Sequence, residues 1–404
     1  MKGIVSFLTV LMISAYALSG AENSVLSKWG VKEFFPLIAW DYVGDEATIK
    51  SMADCGVTVI AFVPPRLLKT CAKYGIKAIV FDQSVAPEFG ENFDADKAFK
   101  NLPALIARVN KNPAVYGYHL RDEPGADQFP ALGRAVAMVK KLAPGKWPYI
   151  NCYPGTGDDY VKLMETFVAQ CDPTILSYDN YATHPDGSFS WGFWANLADM
   201  RQVAVEHNLP FQTIVLTSTH WGYGELNEAH LKLEIFGPLA YGAKGLSYYK
   251  FCSGSLPIMN CPDLGNFRDG PLDQFGEKTP AWDILRNLNH QVLNLAPTLL
   301  KLHSDEVYFF GDIPKRNHGP DEKSLVKSMP GGDFIVGDFT HEDGSRYVMI
   351  VNKDLKSSHP CDPTFNVPVK TRNYVFPVTG ELKPFPQPYY YLAPGQGVLI
   401  QLKP

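Results

Sequence analysis

The feature that most restricts what this chain can fold into is a rhythm. From Phe34 onward, short apolar runs alternate with longer segments of helical period. Runs of this kind, set between amphipathic stretches, are the signature of repeated β-α units and a parallel sheet. The runs cover 35–40, 57–63, 76–81, 115–120, 149–153, 175–178, 211–216 and 245–251. Helical segments follow at 45–54, 66–74, 96–110, 128–142, 158–170, 193–207, 228–241 and 280–295. Cys55-Gly56, Tyr74-Gly75 and Asn208-Leu209-Pro210 read as helix exits. Eight strands, each followed by a helix, imply a closed (β/α)8 barrel, the TIM-barrel architecture. An open doubly wound sheet is the weaker reading, because no glycine-rich nucleotide fingerprint follows the first run.

Beyond residue 300 the rhythm changes to short strand-like runs at 306–310, 334–339, 347–352, 374–378 and 398–402, with no helical segment among them. Asp343-Gly344 between two of these reads as a hairpin turn. The chain therefore divides into a barrel over 22–300 and a small antiparallel, sandwich-like β domain over 301–404. The first 21 residues have a basic start at Lys2, an apolar stretch from Ile4 to Leu18, and small residues at Ser19 and Ala21. That pattern predicts a secretory signal peptide cleaved after Ala21, and hence a secreted or periplasmic protein. The apolar stretch is short for a bilayer crossing, so no membrane span is expected after its removal.

With 46% hydrophobic residues in 404, the chain can bury sizeable cores. Its net charge of -5, from 37 basic and 42 acidic residues mixed along the chain, carries no electrostatic footprint for nucleic acid. The 24 Phe, 20 Tyr and 7 Trp exceed what such cores require, and several stand beside turn residues where an open site would be lined. Among seven cysteines, Cys252 and Cys261 are the best candidate disulfide, closing a loop that contains Gly and Pro. No Cys or His spacing matches a metal site, and neither metal nor cofactor is expected.

Chemistry concentrates in Tyr116-Gly117-Tyr118-His119-Leu120-Arg121-Asp122-Glu123-Pro124, an apolar run ending in two carboxylates and a proline. In a barrel of this kind the site lies at the carboxyl ends of the strands. The residues found there are Trp40, Asp41 and Tyr42 after run one, Asp82 and Gln83 after run three, and Asp122 and Glu123 after run four. They continue with Asn151 and Tyr153, then Asp179, Asn180 and Tyr181, then Ser218, His220 and Trp221, then Tyr248, Tyr249 and Lys250. Carboxylates, amides and aromatic rings converging on one rim suit an oligosaccharide or polysaccharide, whose hydroxyls need donors and acceptors and whose C–H faces stack on rings. His220 reads equally well as part of a buried polar layer, and Arg121 as a structural charge partner of the two acids.

In this setting Asp122-Glu123-Pro124 resembles the (β/α)8 glycoside hydrolases of the large clan whose acid/base glutamate follows strand four in an Asn-Glu-Pro-like motif. The resemblance extends over the mature chain, since those enzymes often carry a C-terminal β domain. It implies a glycoside hydrolase with Glu123 as general acid/base. Two positions depart from the pattern. Asp122 stands where the clan has Asn, and run seven ends in Leu216-Thr217-Ser218-Thr219-His220-Trp221 without the nucleophilic glutamate. Glu225 follows a few residues on, in a loop marked by Gly222 and Gly224. An adjacent Asp-Glu after strand four is also similar to the substrate-assisted hexosaminidases. That resemblance implies Asp122 on the acetamido nitrogen, Glu123 as acid/base and Tyr181 on the acetamido oxygen. An inverting arrangement, with Asp179 or Asp82 activating water, is the third alternative. From a different functional class comes a carbohydrate-binding barrel that has lost catalysis.

Overall fold

The structure, a computed structural model, describes residues 34–87, 93–254, 261–386 and 390–404. The proposed signal peptide lies outside the described residues. Eight parallel strands form one sheet: β1 (Leu37–Tyr42), β2 (Val59–Val63), β3 (Lys77–Val80), β4 (Val115–Asp122), β5 (Trp147–Asn151), β6 (Leu176–Asp179), β7 (Phe211–Leu216) and β8 (Leu246–Tyr249). The strand order is β5-β4-β3-β2-β1-β8-β7-β6. The two end strands meet where the Cys152 N–H donates to the Ser177 carbonyl at 2.8 Å, closing the barrel. Helices alternate with the strands: α1 (Glu46–Asp54), α2 (Leu68–Lys73), α3 (Ala95–Val109), α4 (Phe129–Leu142), α5 (Asp158–Cys171), α6 (Trp191–Glu206), α7 (Glu228–Ala240) and α8 (Pro280–Leu299).

Local chemistry sets these boundaries. Asp45, Asp94 and Asn227 cap α1, α3 and α7 by accepting hydrogen bonds from the amides of Thr48, Lys97 and His230. Gly56, Gly75 and Asn208 take positive φ values of 89°, 68° and 51° just beyond helices, turning the chain into the next strand. The last barrel helix runs one turn past the expected end at 295, carrying Pro297 inside it. Outward strand residues such as Leu37, Ile60, Val80, Leu120, Ile150 and Val215 pack against the helices in one continuous core. Ile38, Trp40, Val59, Ala61, Ile79, Tyr149 and Ile214 fill the barrel interior.

After α8 the chain enters a six-stranded antiparallel sheet. Its main strands are β9 (Leu302–Phe310), β11 (Phe334–His341), β12 (Arg346–Asn352), β15 (Thr371–Val375) and β18 (Gly397–Lys403), with β16 (Leu382–Pro384) at one edge. The short strands β10 (Val326–Ser328) and β14 (Thr364–Phe365) form one separate pair, and β13 (His359–Pro360) and β17 (Tyr391–Leu392) another. Asp343-Gly344 forms the β11–β12 turn, with Thr340 opposite Arg346 and Gly344 at φ 84°. Alternation divides the sheet's two faces. Ile335, Phe339, Met349, Val351 and Leu399 join the barrel core, while Val336, Val348, Ile350, Val398 and Ile400 form a second one.

One cysteine expectation fails. All seven are unpaired, including Cys252 and Cys261. Cys252 is instead committed to the barrel, its N–H donating to Asp41 Oδ2 at 2.8 Å. Among the described residues, no helix is long and apolar enough to cross a membrane.

Candidate active site

A cavity of about 500 Å³ opens at the carboxyl ends of the strands. Its walls include Trp40, Asp41, Tyr42, Asp122, Glu123, Tyr153, Asp179, Tyr181, Trp221 and Tyr249, all taken from the strand ends that the repeat pattern singles out. Phe62, His119, Tyr223 and Lys250 complete much of the remaining surface.

Two irregularities in the strands deliver these side chains. In a regular strand, neighbours point to opposite faces. On β4, His119 pairs with Tyr149, yet Arg121 rather than Leu120 pairs with Ile150. The extra residue is a bulge, and it brings Asp122 to the same inward face as His119. Arg121 turns outward and donates to Gln128 Oε1 at 3.3 Å. It is therefore not hydrogen-bonded to the two acids, although its charge still acts on them. A register shift on β1, between Ala39 and Tyr42, likewise lets Trp40, Asp41 and Tyr42 all reach the cavity.

Glu123 stands just beyond β4 with φ 49°, in the left-handed region that a residue with a Cβ enters at a cost of about 1–3 kcal/mol. Its N–H donates to the Asn151 carbonyl at 2.7 Å, which anchors the turn. Pro124 then carries the chain away.

The carboxylates are joined through Asn151 at the end of β5. Its Nδ2 donates to Asp122 Oδ1 at 3.1 Å and to Asp179 Oδ1 at 2.8 Å, and its Oδ1 accepts from Ser177 Oγ at 3.0 Å. Below lies a polar layer inside the barrel, in which Gln212 Nε2 donates to Tyr149, Ser177 and Ser247, and the Tyr149 and Ser177 hydroxyls are bonded to each other. These bonds hold the amide in one orientation. Burial pushes the Asp122 carboxyl up to about 6, and the Asn151 bond and Arg121 charge restrain it. Glu123 is raised well above the carboxylate range, first by burial and then by the charges of Asp179 and Asp122. Asp179 is also raised, by burial and by Asp122. The contact between the Glu123 and Asp179 carboxyls raises the first and lowers the second.

The other acids have different surroundings. Asp41 accepts from the Tyr42 and Cys252 amides, both at 2.8 Å; burial raises its carboxyl, opposed by the nearby Lys250 charge. Asp82 is absent from the cavity wall. Its oxygens are engaged by Arg108 at 2.7 Å and by Ser84, which fold it back onto its own loop and α3. Glu225 is exposed and also off the wall, so the end of β7 contributes no carboxylate to the cavity.

His220 lies behind the wall rather than in it. It is fully buried, donates from Nδ1 to the Ser218 carbonyl at 2.9 Å and stacks on Phe267 with centroids 4.6 Å apart. Its ring buttresses Tyr181 and Tyr249 at 5.2 Å each, and those two rings stack on each other at 5.5 Å. His119, not among the residues expected to bind, does line the cavity. It packs against Trp40, Phe62 and Phe81, and burial pushes it down to about 3, so it is neutral. Its alternation with Tyr118 and Leu120 was the available signal. For Phe62 and Tyr223 the sequence carried none beyond their aromatic character.

Among the described residues, no group of three or more His, Cys, Asp or Glu side chains is arranged to hold a metal ion. No protein-family model and no curated protein matches the sequence. Solved structures do match in fold. One named as a glycoside hydrolase aligns over 92% of this chain and 93% of its own length, with a TM-score of 0.57 and 13% identity. A family 5 glycoside hydrolase from Bacteroides vulgatus aligns over 91% of this chain and 89% of its own, with a TM-score of 0.58 and 12% identity. The chain is thus similar, over nearly all its length, to barrels with that architecture.

Proposed function

We propose that this protein is a glycoside hydrolase in which Glu123 is the general acid/base and Asp122 its partner or substrate-orienting residue. The observation that carries this reading is the convergence of Asp122, Glu123 and Asp179 in one aromatic-walled cleft, with Asn151 bridging two of them. A general acid must hold its proton at working pH and release it to the leaving oxygen. Glu123 is raised in the required direction. In the resting site Asp179 accepts that proton's hydrogen bond. A glycosidic oxygen entering the cleft takes the place of Asp179 as acceptor, and the proton passes to it as the C–O bond breaks; water then supplies the oxygen that bonds the anomeric carbon, and one of its protons returns to the carboxylate.

Asp122 is ionised above about pH 6, with one oxygen held by Asn151. It faces the positive charge that develops at the anomeric carbon, either directly or through an acetamido group that it orients. The cleft wall carries four acids and one lysine, which favours a neutral sugar over an anionic one. Export of the enzyme is part of the proposal and rests on the N-terminal 21 residues.

The test is a panel of aryl glycosides with and without a 2-acetamido group, assayed beside Glu123→Gln. Wild-type cleavage is expected, reduced about 10²- to 10⁴-fold in the variant for leaving groups that need protonation. Cleavage confined to acetamido substrates and lost in Asp122→Asn selects substrate assistance. Wild-type protein that binds sugars but cleaves none refutes the enzyme and leaves the binding barrel.

A further inference from the structure

Three exposed rings stand at the mouth of the cleft: Tyr42 on β1, Tyr153 beyond β5 and Trp221 beyond β7. Tyr153 is tied to the acid through the backbone that holds it. It follows Asn151, whose carbonyl anchors the Glu123 amide, and its phenol is raised chiefly by the Glu123 charge. It is 53% exposed, leaving much of its ring uncovered for a ligand. A general acid works on the oxygen of the leaving group, so an exposed ring beside it faces the unit that departs.

The loop bearing Tyr153 is held from behind. Tyr160 Oη donates to the Tyr153 carbonyl at 2.8 Å, and Gly155 lies so close to the Tyr160 ring that no Cβ fits there. The Gly157 N–H, with φ 99°, donates to Asp199 Oδ2 at 2.7 Å. Asp199 is buried on α6, and its other oxygen accepts from Arg316 Nε at 2.5 Å. Arg316 also reaches Asp158 Oδ1 at 3.0 Å. It belongs to the segment between β9 and β10, in the C-terminal domain, and Lys315 beside it lies over the Trp191 ring at 4.7 Å. The C-terminal domain thereby grips the barrel loop that forms one wall of the cleft.

We infer that Tyr153 is the stacking platform for a leaving-group sugar ring, and that Arg316 of the C-terminal domain is a positioning residue that holds this platform through Asp199. The inference rests on the reading of Glu123 as the acid. It makes the substrate at least a disaccharide unit spanning Glu123, and it gives the β domain a part in substrate selection.

The experiment compares disaccharides with glycosyl fluorides, whose leaving group has no ring to stack. The fluorides and matching disaccharides of glucose, galactose, mannose and N-acetylglucosamine are assayed with wild type, Tyr153→Ala, Tyr153→Phe and Arg316→Met, with melting temperatures recorded. In Tyr153→Ala, the ratio of disaccharide to fluoride kcat/KM is expected to fall about tenfold, through KM. Tyr153→Phe keeps the ratio, and Arg316→Met lowers it in the same direction by a smaller factor. A loss that is equal for both substrate types, or a ratio preserved in Tyr153→Ala, overturns the inference while leaving the glycosidase intact. If wild type cleaves neither fluorides nor disaccharides, the acid assignment fails and this inference fails with it.

Discussion

Asn151→Ala tests the electrostatic core of the site most directly. The wild-type amide gives one N–H to each of two buried carboxylates, at 3.1 Å to Asp122 and 2.8 Å to Asp179. A hydrogen bond to a charged group contributes about 1.5–3 kcal/mol. At 1.36 kcal/mol per pKa unit, losing that bond raises a carboxyl by about one to two units. Asp122, held at about 6 with the bond in place, then titrates at about 7–8. If the reaction needs Asp122 ionised, the acid limb of the kcat/KM profile moves to higher pH by that amount. At pH 6 the variant is therefore about 5- to 50-fold below wild type from ionisation alone, a deficit that shrinks as pH rises. The assay is kcat/KM from pH 4 to 9 on the best substrate of the panel, with folding checked by melting at each pH. An acid limb that stays in place, or a loss of equal size at every pH, refutes the claim that Asn151 controls the ionisation of Asp122.

Two further outcomes are expected. Glu234, wholly buried on α7, accepts from the Leu216 amide at 2.8 Å and from Thr183 Oγ1 at 3.3 Å, and burial pushes it up to about 8. Its folded value lies above its unfolded one, so its stabilising contribution is complete below about pH 4 and is lost as pH rises through 8. Thermal melts of Glu234→Gln should therefore show a weaker fall in stability between pH 5 and 9 than wild type; parallel curves would contradict the burial argument. Asp82→Asn should change kcat/KM by less than about twofold, because Arg108 and Ser84 hold that carboxylate away from the cleft. A large kinetic loss, with the melting temperature kept, would return Asp82 to the site.

The sequence carried the architecture because every repeat declares itself locally. Apolar runs with helical segments between them, Gly56 and Gly75 as exits, and Asp343-Gly344 as a hairpin all act over a few residues. The strand-end rule then puts Glu123, Asp122, Asp179 and the aromatic residues around one rim. What it could not decide was which rim residues face the cavity. Period-two alternation puts His119 and Asp122 on opposite faces, and only the bulge on β4 brings both inward.

The rest was settled by contacts between residues far apart in the chain. Asn151 joins Asp122 and Asp179 across gaps of 29 and 28 residues. Asp82 is removed from the cleft by Arg108, 26 residues on, and Arg316 reaches Asp199 across 117. Composition and spacing record which groups stand near a strand end, because backbone geometry repeats from one unit to the next. Which donor meets which carboxylate depends on strand register and on the packing of separate elements, and those exist only once the barrel has closed.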